Sequence, residues 1–226
     1  MTPVSPAPHP RLSGRMSGDD RRLQLIEVAI DLFSRKGFGG TTTREIAAAA
    51  GVTEAIIFRH FATKQDLYKA ILDHKHGASG KREWLAEVQV FMDARDDEGL
   101  FRYLVSTIIA LHREEPRFER LLLHAALEGH ELAIMHHNQI AANVGVKFVE
   151  YIARRQRAGA IRRCDPTIVI FALVGIAKHY AMQKYMYQRC ELTITDDQMV
   201  DGFLAIVMNG IRTTPPNRTT TPRKLQ

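Results

Sequence analysis

Cysteine is nearly missing from this 226-residue chain, which carries only Cys164 and Cys190. Their spacing fits no zinc-ligand pattern, and both are read as free thiols rather than as a structural disulfide. Long apolar runs are missing too. The longest, Ile168 to Ala177, is ended by Lys178, far short of the ~20 residues of a membrane span. The N-terminus has no apolar stretch of signal-peptide type. These absences predict a cytoplasmic protein that neither crosses a membrane nor is exported. The marks of common enzymes are also lacking. There is no nucleophile-elbow serine, no HExxH, no pair of catalytic carboxylates and no Gly-rich phosphate loop; the GKRE at 80–83 has no upstream glycine at the needed spacing. No catalytic residue and no cofactor are expected.

What is present is ordinary for a globular protein, except for its charge. Hydrophobic residues make up 45% and charged residues 25%, with a net charge of +6. A basic balance favours polyanions such as DNA, RNA or anionic lipid. Residues 1–19 carry Pro3, Pro6, Pro8 and Pro10 among Ser and Gly, and 213–226 read TTPPNRTTTPRKLQ; both are expected to be disordered. Between them the apolar residues recur at helical spacing and no strand alternation occurs, so the fold class is all-α. Helices are expected over 21–36, about 42–50, 54–60, 63–76, 81–95, 97–114, 117–134, 136–158, 166–188 and 195–211. Gly37 and Gly159 stand at C-terminal stops, and Pro116 and Pro166 near starts.

One segment has a spacing with chemical meaning, TTTREIAAAAGVTEAIIFRHFATKQDLY at 41–68. Thr42 and Glu45 have capping-box spacing. Ile46 and Ala50 face inward, and Ala47 is small enough for a neighbouring helix to cross closely. Gly51 follows where a left-handed residue is needed. Thr53 suits the cap of a short helix running to Arg59 or His60, fastened by Ile57 and Phe61. Thr63 and Asp66 repeat the capping pattern for the next helix. A helix, a glycine turn and a second helix define a helix-turn-helix, whose second helix presents its leading residues to the DNA major groove. The exposed positions are Thr53, Glu54, Ala55, Phe58 and Arg59. Glu54 can accept from cytosine N4 or repel phosphate out of register. Arg44 on the preceding helix is within reach of phosphate, and Lys64 falls in a first helical turn that favours an anion.

Val52, Thr53, Ile57, Phe58, His60, Phe61, Lys64 and Leu67, with Phe33, Gly37, Thr42, Ile46 and Ala47, resemble the TetR family of bacterial transcriptional regulators over about 21–72. The resemblance implies that Thr42, Thr53, His60 and Lys64 contact DNA phosphates while the outer face of the third helix reads bases. One residue departs from the pattern: Phe58 stands where the family usually has tyrosine, so the phenolic hydroxyl and its phosphate bond are gone. The implied organisation is a helix-turn-helix DNA-binding domain over 20–66 and a helical ligand-binding and dimerisation domain over 67–212.

The C-terminal half is compatible with that. Residues 167–187 are apolar nearly all round, and a helix without a polar face is buried on several sides. Met199, Phe203, Ile206, Val207 and Ile211 lie on one stripe of the last helix. Helices 166–188 and 195–211 are therefore expected to form a homodimer interface of four helices. Tyr103, Phe118, His124, Phe148, Tyr151 and Phe171 are the candidate ligand-binding residues, for a small apolar or amphipathic effector. His124 and Glu128 share a helix face at a spacing that can hold a metal, but histidine beside acid is more often polar surface, and no metal site is expected. The expected function is a ligand-responsive, sequence-specific regulator that binds double-stranded DNA, a repressor released by its effector. The competing readings are a helical ligand-binding or scaffold protein without DNA, and an α-helical enzyme.

Overall fold

The computed structural model describes residues 16–75, 78–140, 144–189 and 191–212. The tail expected over 213–226, most of the arm expected over 1–19, and Cys190 lie outside the described residues. Among those described the chain is helical, with no strand and one isolated antiparallel bridge between Ile161 and Arg212. No described helix is long and apolar enough to cross a membrane.

Helix α1 (Gly18–Lys36) begins three residues before the expected start. Ser17 accounts for the difference: its hydroxyl accepts from the Asp20 amide at 3.0 Å, and Asp19 and Asp20 place negative charge at the positive end of the helix. Helices α2 (Thr43–Ala50), α3 (Glu54–His60) and α4 (Lys64–Lys75) follow with short turns between them. Then come α5 (Ala78–Ala94), α6 (Asp97–Glu114) and α7 (Pro116–Leu127). The continuous helix expected over 117–134 is interrupted, and α8 (Glu131–Ile140) is separate. Gly129 is the cause. It adopts φ +65, and the amides of Gly129 and His130 turn back to the carbonyls of Ala126 and Ala125, which closes α7 with a Schellman turn. The helix expected over 136–158 is likewise divided between α8 and α9 (Val146–Arg157).

Helix α10 (Pro166–Ala181) runs into a π turn over Met182–Met186 instead of continuing to 188. A π turn advances fewer degrees per residue than an α turn, which lets Tyr180, Lys184 and Tyr185 meet on one carboxylate. Asp196, at the start of α11 (Asp196–Ile211), accepts from Tyr180 Oη at 2.9 Å, Lys184 Nζ at 3.0 Å and Tyr185 Oη at 2.6 Å. Arg113 of α6 adds a fourth donor at 3.0 Å. Burial pushes the Asp196 carboxyl up, but the bonds from Tyr185, Lys184 and Tyr180 outweigh it and hold the group below its usual range.

The buried side chains fall into two clusters, and their division does not coincide with the expected boundary at residue 66. The first joins α1, α2 and α3 to Leu67, Tyr68, Ala70, Ile71 and Leu72 of α4 and to Phe118, Leu121, Leu122 and Ala125 of α7. The second is built from α5, α6, α9, α10 and α11. Helix α7, late in the chain, therefore completes the core of the N-terminal unit. Each of its larger apolar side chains contributes about 1.5–3 kcal/mol of transfer free energy there. Its N-terminal end is tied to α1 by Arg117 and Glu27 at 3.3 Å.

Tyr68 sits in the first cluster, fully buried, and its hydroxyl has no hydrogen-bond partner among the described residues. An unpaired buried hydroxyl costs about 1–3 kcal/mol. Tyr68→Phe should therefore resist urea as well as the parent or better, by up to about that amount. A clear loss of stability in the same titration would show that the hydroxyl is bonded in solution.

Candidate nucleic-acid interface

The helix-turn-helix forms at its expected positions because each of its joints is locally specified. Thr42 accepts from the Glu45 amide at 3.2 Å, while Glu45 accepts from the Thr42 amide at 2.8 Å, so the capping box is reciprocal. Gly51 takes φ +68 and ψ 34 and ends α2, a conformation a side chain there would strain. Val52 turns back with its amide on the Ala47 carbonyl at 3.0 Å. Ile57 is fully buried and Phe61 nearly so, which pins α3 from below. The Thr63 and Asp66 pair caps α4, with the Asp66 amide on Thr63 Oγ1 at 3.1 Å.

Pinned in this way, α3 leaves Thr53, Ala55, Phe58 and Arg59 facing solvent. Phe58 is 48% exposed, an apolar ring held away from any core. Thr53 stands at the N-cap position of α3, but its side chain makes no capping bond, unlike Thr42. Thr42 and Arg44 are exposed on the α2 side of the same surface.

Three expected contacts are placed differently. The Glu54 carboxylate takes the Thr43 hydroxyl, so it braces α3 against α2 rather than standing free for cytosine. The His60 ring is half-buried; its Nε2 is buried without a partner among the described residues, not turned out to phosphate. Burial first, then the charges of Arg59, Arg22 and Arg21, hold this imidazole below its usual pKa and hence neutral near pH 7. Lys64 also points inward. Its Nζ donates to the carbonyls of Phe38 and Thr41, each at 2.7 Å, and lies 4.0 Å from the centre of the Phe38 ring. Desolvation lowers the ammonium pKa, partly offset by Glu128 and Glu45. Two carbonyls of the α1–α2 turn claim this ammonium, so the lysine straps that turn to α4.

Four acids of this unit are committed internally. Glu45 holds Lys36 at 2.7 Å, Asp31 pairs with Arg35, Glu54 takes Thr43, and Asp66 takes Thr63. Among the described residues, Arg44 and Arg59 form no ion pair, so their charge is available on the exposed face. A shallow depression beside α3, lined by Met16, Ser17, Arg21, Val52, Ile56 and Arg59, widens that face toward the start of α1. Arg21 was not among the expected contacts. Its only sequence signal was its place in the first turn of α1, which does not say where α1 begins relative to α3.

The expected ligand residues do not line one space. Tyr103, Phe148 and Tyr151 belong to the second cluster, where Trp84 lies 6.2 Å from Tyr103 and 6.4 Å from Phe148 between ring centres. The Tyr151 hydroxyl is taken by Asp97 at 2.6 Å, beside a two-pronged Arg155–Asp97 bridge at 2.8 and 2.9 Å. Phe118 is buried in the first cluster instead. His124 faces the α1–α2 turn, with Nδ1 3.5 Å from where a Cβ on Gly37 would stand. Phe171 is 70% exposed on α10. Helical spacing marked these residues as buried or aromatic without saying which core each would enter. The histidines are dispersed in the same way: His112 is buried with Nδ1 on the Ile108 carbonyl, and His130 lies against Phe38. Among the described residues, no group of three or more His, Cys, Asp or Glu can hold a metal.

A capped, glycine-turned helix pair that displays a short helix beside unpaired arginines, on an otherwise helical chain, defines a helix-turn-helix DNA-binding regulator. The sequence model described as bacterial regulatory proteins, tetR family, matches residues 25–71. Over these residues the chain carries the DNA-binding domain that the model describes, and the regulators it is similar to share it. It is 24% identical over 200 residues to the HTH-type transcriptional regulator RutR of Escherichia coli, covering 85% of this chain and 91% of that one. Among solved structures it resembles AibR in complex with isovaleryl coenzyme A and operator DNA, at TM-score 0.58 and 25% identity over 82% of this chain and 97% of that one. NalD, the secondary repressor of the MexAB-OprM multidrug efflux pump in Pseudomonas aeruginosa, shares the fold at TM-score 0.66 and 19% identity over 87% and 98% of the two chains.

Glu45 gives the interface a pH signature. The Lys36 ammonium first, then the Thr42 amide and hydroxyl, lower its carboxyl to about 2. The folded value lies below the unfolded one, so the stabilisation is present above about pH 4.5 and disappears as pH falls toward 2. Urea midpoints of the parent and of Glu45→Gln should differ at pH 7 and converge over that interval. A gap that stayed constant down to pH 2 would show the carboxylate to be idle.

Proposed function

We propose that the chain acts as a homodimeric, cytoplasmic regulator, not an enzyme, whose two α3 helices enter successive major grooves of an operator and whose hold on DNA is released by a small molecule. The observation that carries this is the exposed face of α3 between the capped helices α2 and α4, with Thr53, Ala55, Phe58 and Arg59 displayed, Glu54 turned to Thr43 and Glu45 paired with Lys36. Thr53, Ala55, Phe58 and Arg59 then meet base edges and sugars, with Phe58 against a thymine methyl. Thr42, Arg44 and Arg21 meet phosphate. Glu54, His60 and Lys64 act from behind this face by holding α3, its end and the α1–α2 turn.

Dimerisation is supported by two bare stripes. On α10, Ile168, Phe171, Ala172, Gly175, Ile176 and His179 face outward; on α11, Gly202, Ala205, Ile206 and Asn209 do so. Phe171 and Ile206 are 70% and 73% exposed. Small residues between large apolar ones let helices approach closely, and such a face is stable only when covered. Met199, Phe203, Val207 and Ile211, expected on that stripe, instead pack back onto the second cluster. A small apolar or amphipathic effector would enter that cluster near Trp84, Tyr103 and Phe148. AibR, seen with an acyl coenzyme A and operator DNA, supports the idea that this architecture can serve both. The effector must favour the arrangement of subunits that does not fit DNA.

Selection of bound fragments from random duplex DNA should return a gapped palindrome with half-site centres about one helical turn apart or slightly more. On the selected duplex, Arg59→Ala should lower the slope of log affinity against log salt by about 1, while changes at Thr53 or Ala55 should shift base preference. A chain that enriches no duplex ends this reading. Light scattering of Phe171→Asp and Ile206→Asp should give half the parent's mass; a parent already monomeric at micromolar concentration would remove the dimer.

A further inference from the structure

The carboxylate of Glu128 sits at the wrong end of a helix. It follows Leu127 at the C-terminus of α7, where the helix dipole already carries negative charge and an acid is locally unfavourable. Its position is explained by what it touches. Oε2 accepts from the amides of Phe38 at 3.1 Å and Gly39 at 3.4 Å, some ninety residues earlier in the chain. Oε1 occupies the space a side chain on Gly37 would need, 2.0 Å from the Cβ position, and Gly37 is at φ +72. The backbone angle favours glycine there, and a side chain would push the Glu128 carboxylate off this position.

The Phe38 backbone is thus gripped on both sides of its Cα. Glu128 of α7 holds its amide, and Lys64 of α4 holds its carbonyl at 2.7 Å. The Phe38 ring is packed by His130 at 4.4 Å and Tyr68 at 4.9 Å between centres. The turn so held leads within three residues to Thr42, the cap of α2. Helix α7 itself continues from α6, which belongs to the second cluster.

The geometry points to Glu128 as the residue that couples the C-terminal helices to the reading head: its grip on the α1–α2 turn sets the attitude of α2 and α3, and a shift of the α7 end changes it. Glu128 is a positioning residue that meets no DNA. The inference rests on the DNA-binding reading above, and its test separates the two.

The sign of the effect is diagnostic. Removing a negative charge near a DNA face strengthens binding through charge alone. Loss of the grip does the opposite, because α2 and α3 are no longer preorganised. Fluorescence anisotropy of the full chain on its selected duplex should show Glu128→Ala weakened about 5- to 30-fold with an unchanged salt slope. Glu128→Gln, whose amide oxygen still accepts, should fall between it and the parent, and Leu127→Ala, on the exposed neighbour, should match the parent. Hydrogen exchange of the peptide containing Phe38 and Gly39 should quicken in Glu128→Ala. Binding by Glu128→Ala as tight as the parent's, or tighter, overturns the proposal. If the parent selects no duplex at all, the DNA reading fails on its own; faster exchange at Phe38 and Gly39 then still supports the grip, and unchanged exchange overturns it.

Discussion

Four side chains of α7, Phe118, Leu121, Leu122 and Ala125, are withdrawn from water against helices that come some fifty to one hundred residues earlier. The unit they complete needs them. Helices α1 to α3 span roughly forty residues, near the size below which a single core seldom holds together without outside help. Packing by α4 and α7 supplies the missing apolar surface. The reading head is therefore not an independent bead on a tether. It shares one core with the start of the C-terminal half, and any displacement of α7 is felt at α1 through close-packed contacts that do not deform smoothly.

That sharing places the two halves of regulation in one mechanical chain. The second cluster contains α6, which leads directly into α7. Asp196 gathers donors from α6, α10 and the π turn onto the start of α11. The stripe on α10 and α11 that a second subunit would cover thus stands on elements cross-linked to α6. The face proposed for a second subunit, the rings proposed for an effector and the reading head are joined, among the described residues, by packed helices. Differential binding of an effector to two arrangements of this assembly is enough to bias its fit to DNA.

Much of the reading head was legible in the sequence because its determinants are local. The Thr42 and Glu45 spacing, Gly51 after Ala50, and Thr63 with Asp66 each fix a joint through bonds within a few residues. What escaped was long-range or competitive. Lys64 read as a phosphate ligand because a first helical turn attracts anions and the lysine is itself cationic; nothing local shows that two carbonyls of the α1–α2 turn would claim it. Glu54 read as a base contact because Thr43 is eleven residues away and on another helix. The α7–α8 break was missed since Gly129 was not taken as a stop, although its left-handed turn ends the helix in the same way as Gly51 ends α2. The ring residues proposed for a ligand were scattered between two cores because a helical period says that a side chain is buried, not against what.

The distribution of charge follows from these same commitments. A carboxylate on a DNA-facing surface repels the phosphate backbone, and this unit carries several. Four of them are drawn into structural bonds: Glu45 into a cap and Lys36, Glu54 into Thr43, Asp66 into a cap, Asp31 into Arg35. The bonds anchor the helix ends and also keep those acids paired, while Arg44 and Arg59 stay exposed. Capping and steering are thus one design. Glu45 serves as both a cap and an ion-pair partner, and a +6 chain keeps Arg44 and Arg59, unpaired among the described residues, beside α3.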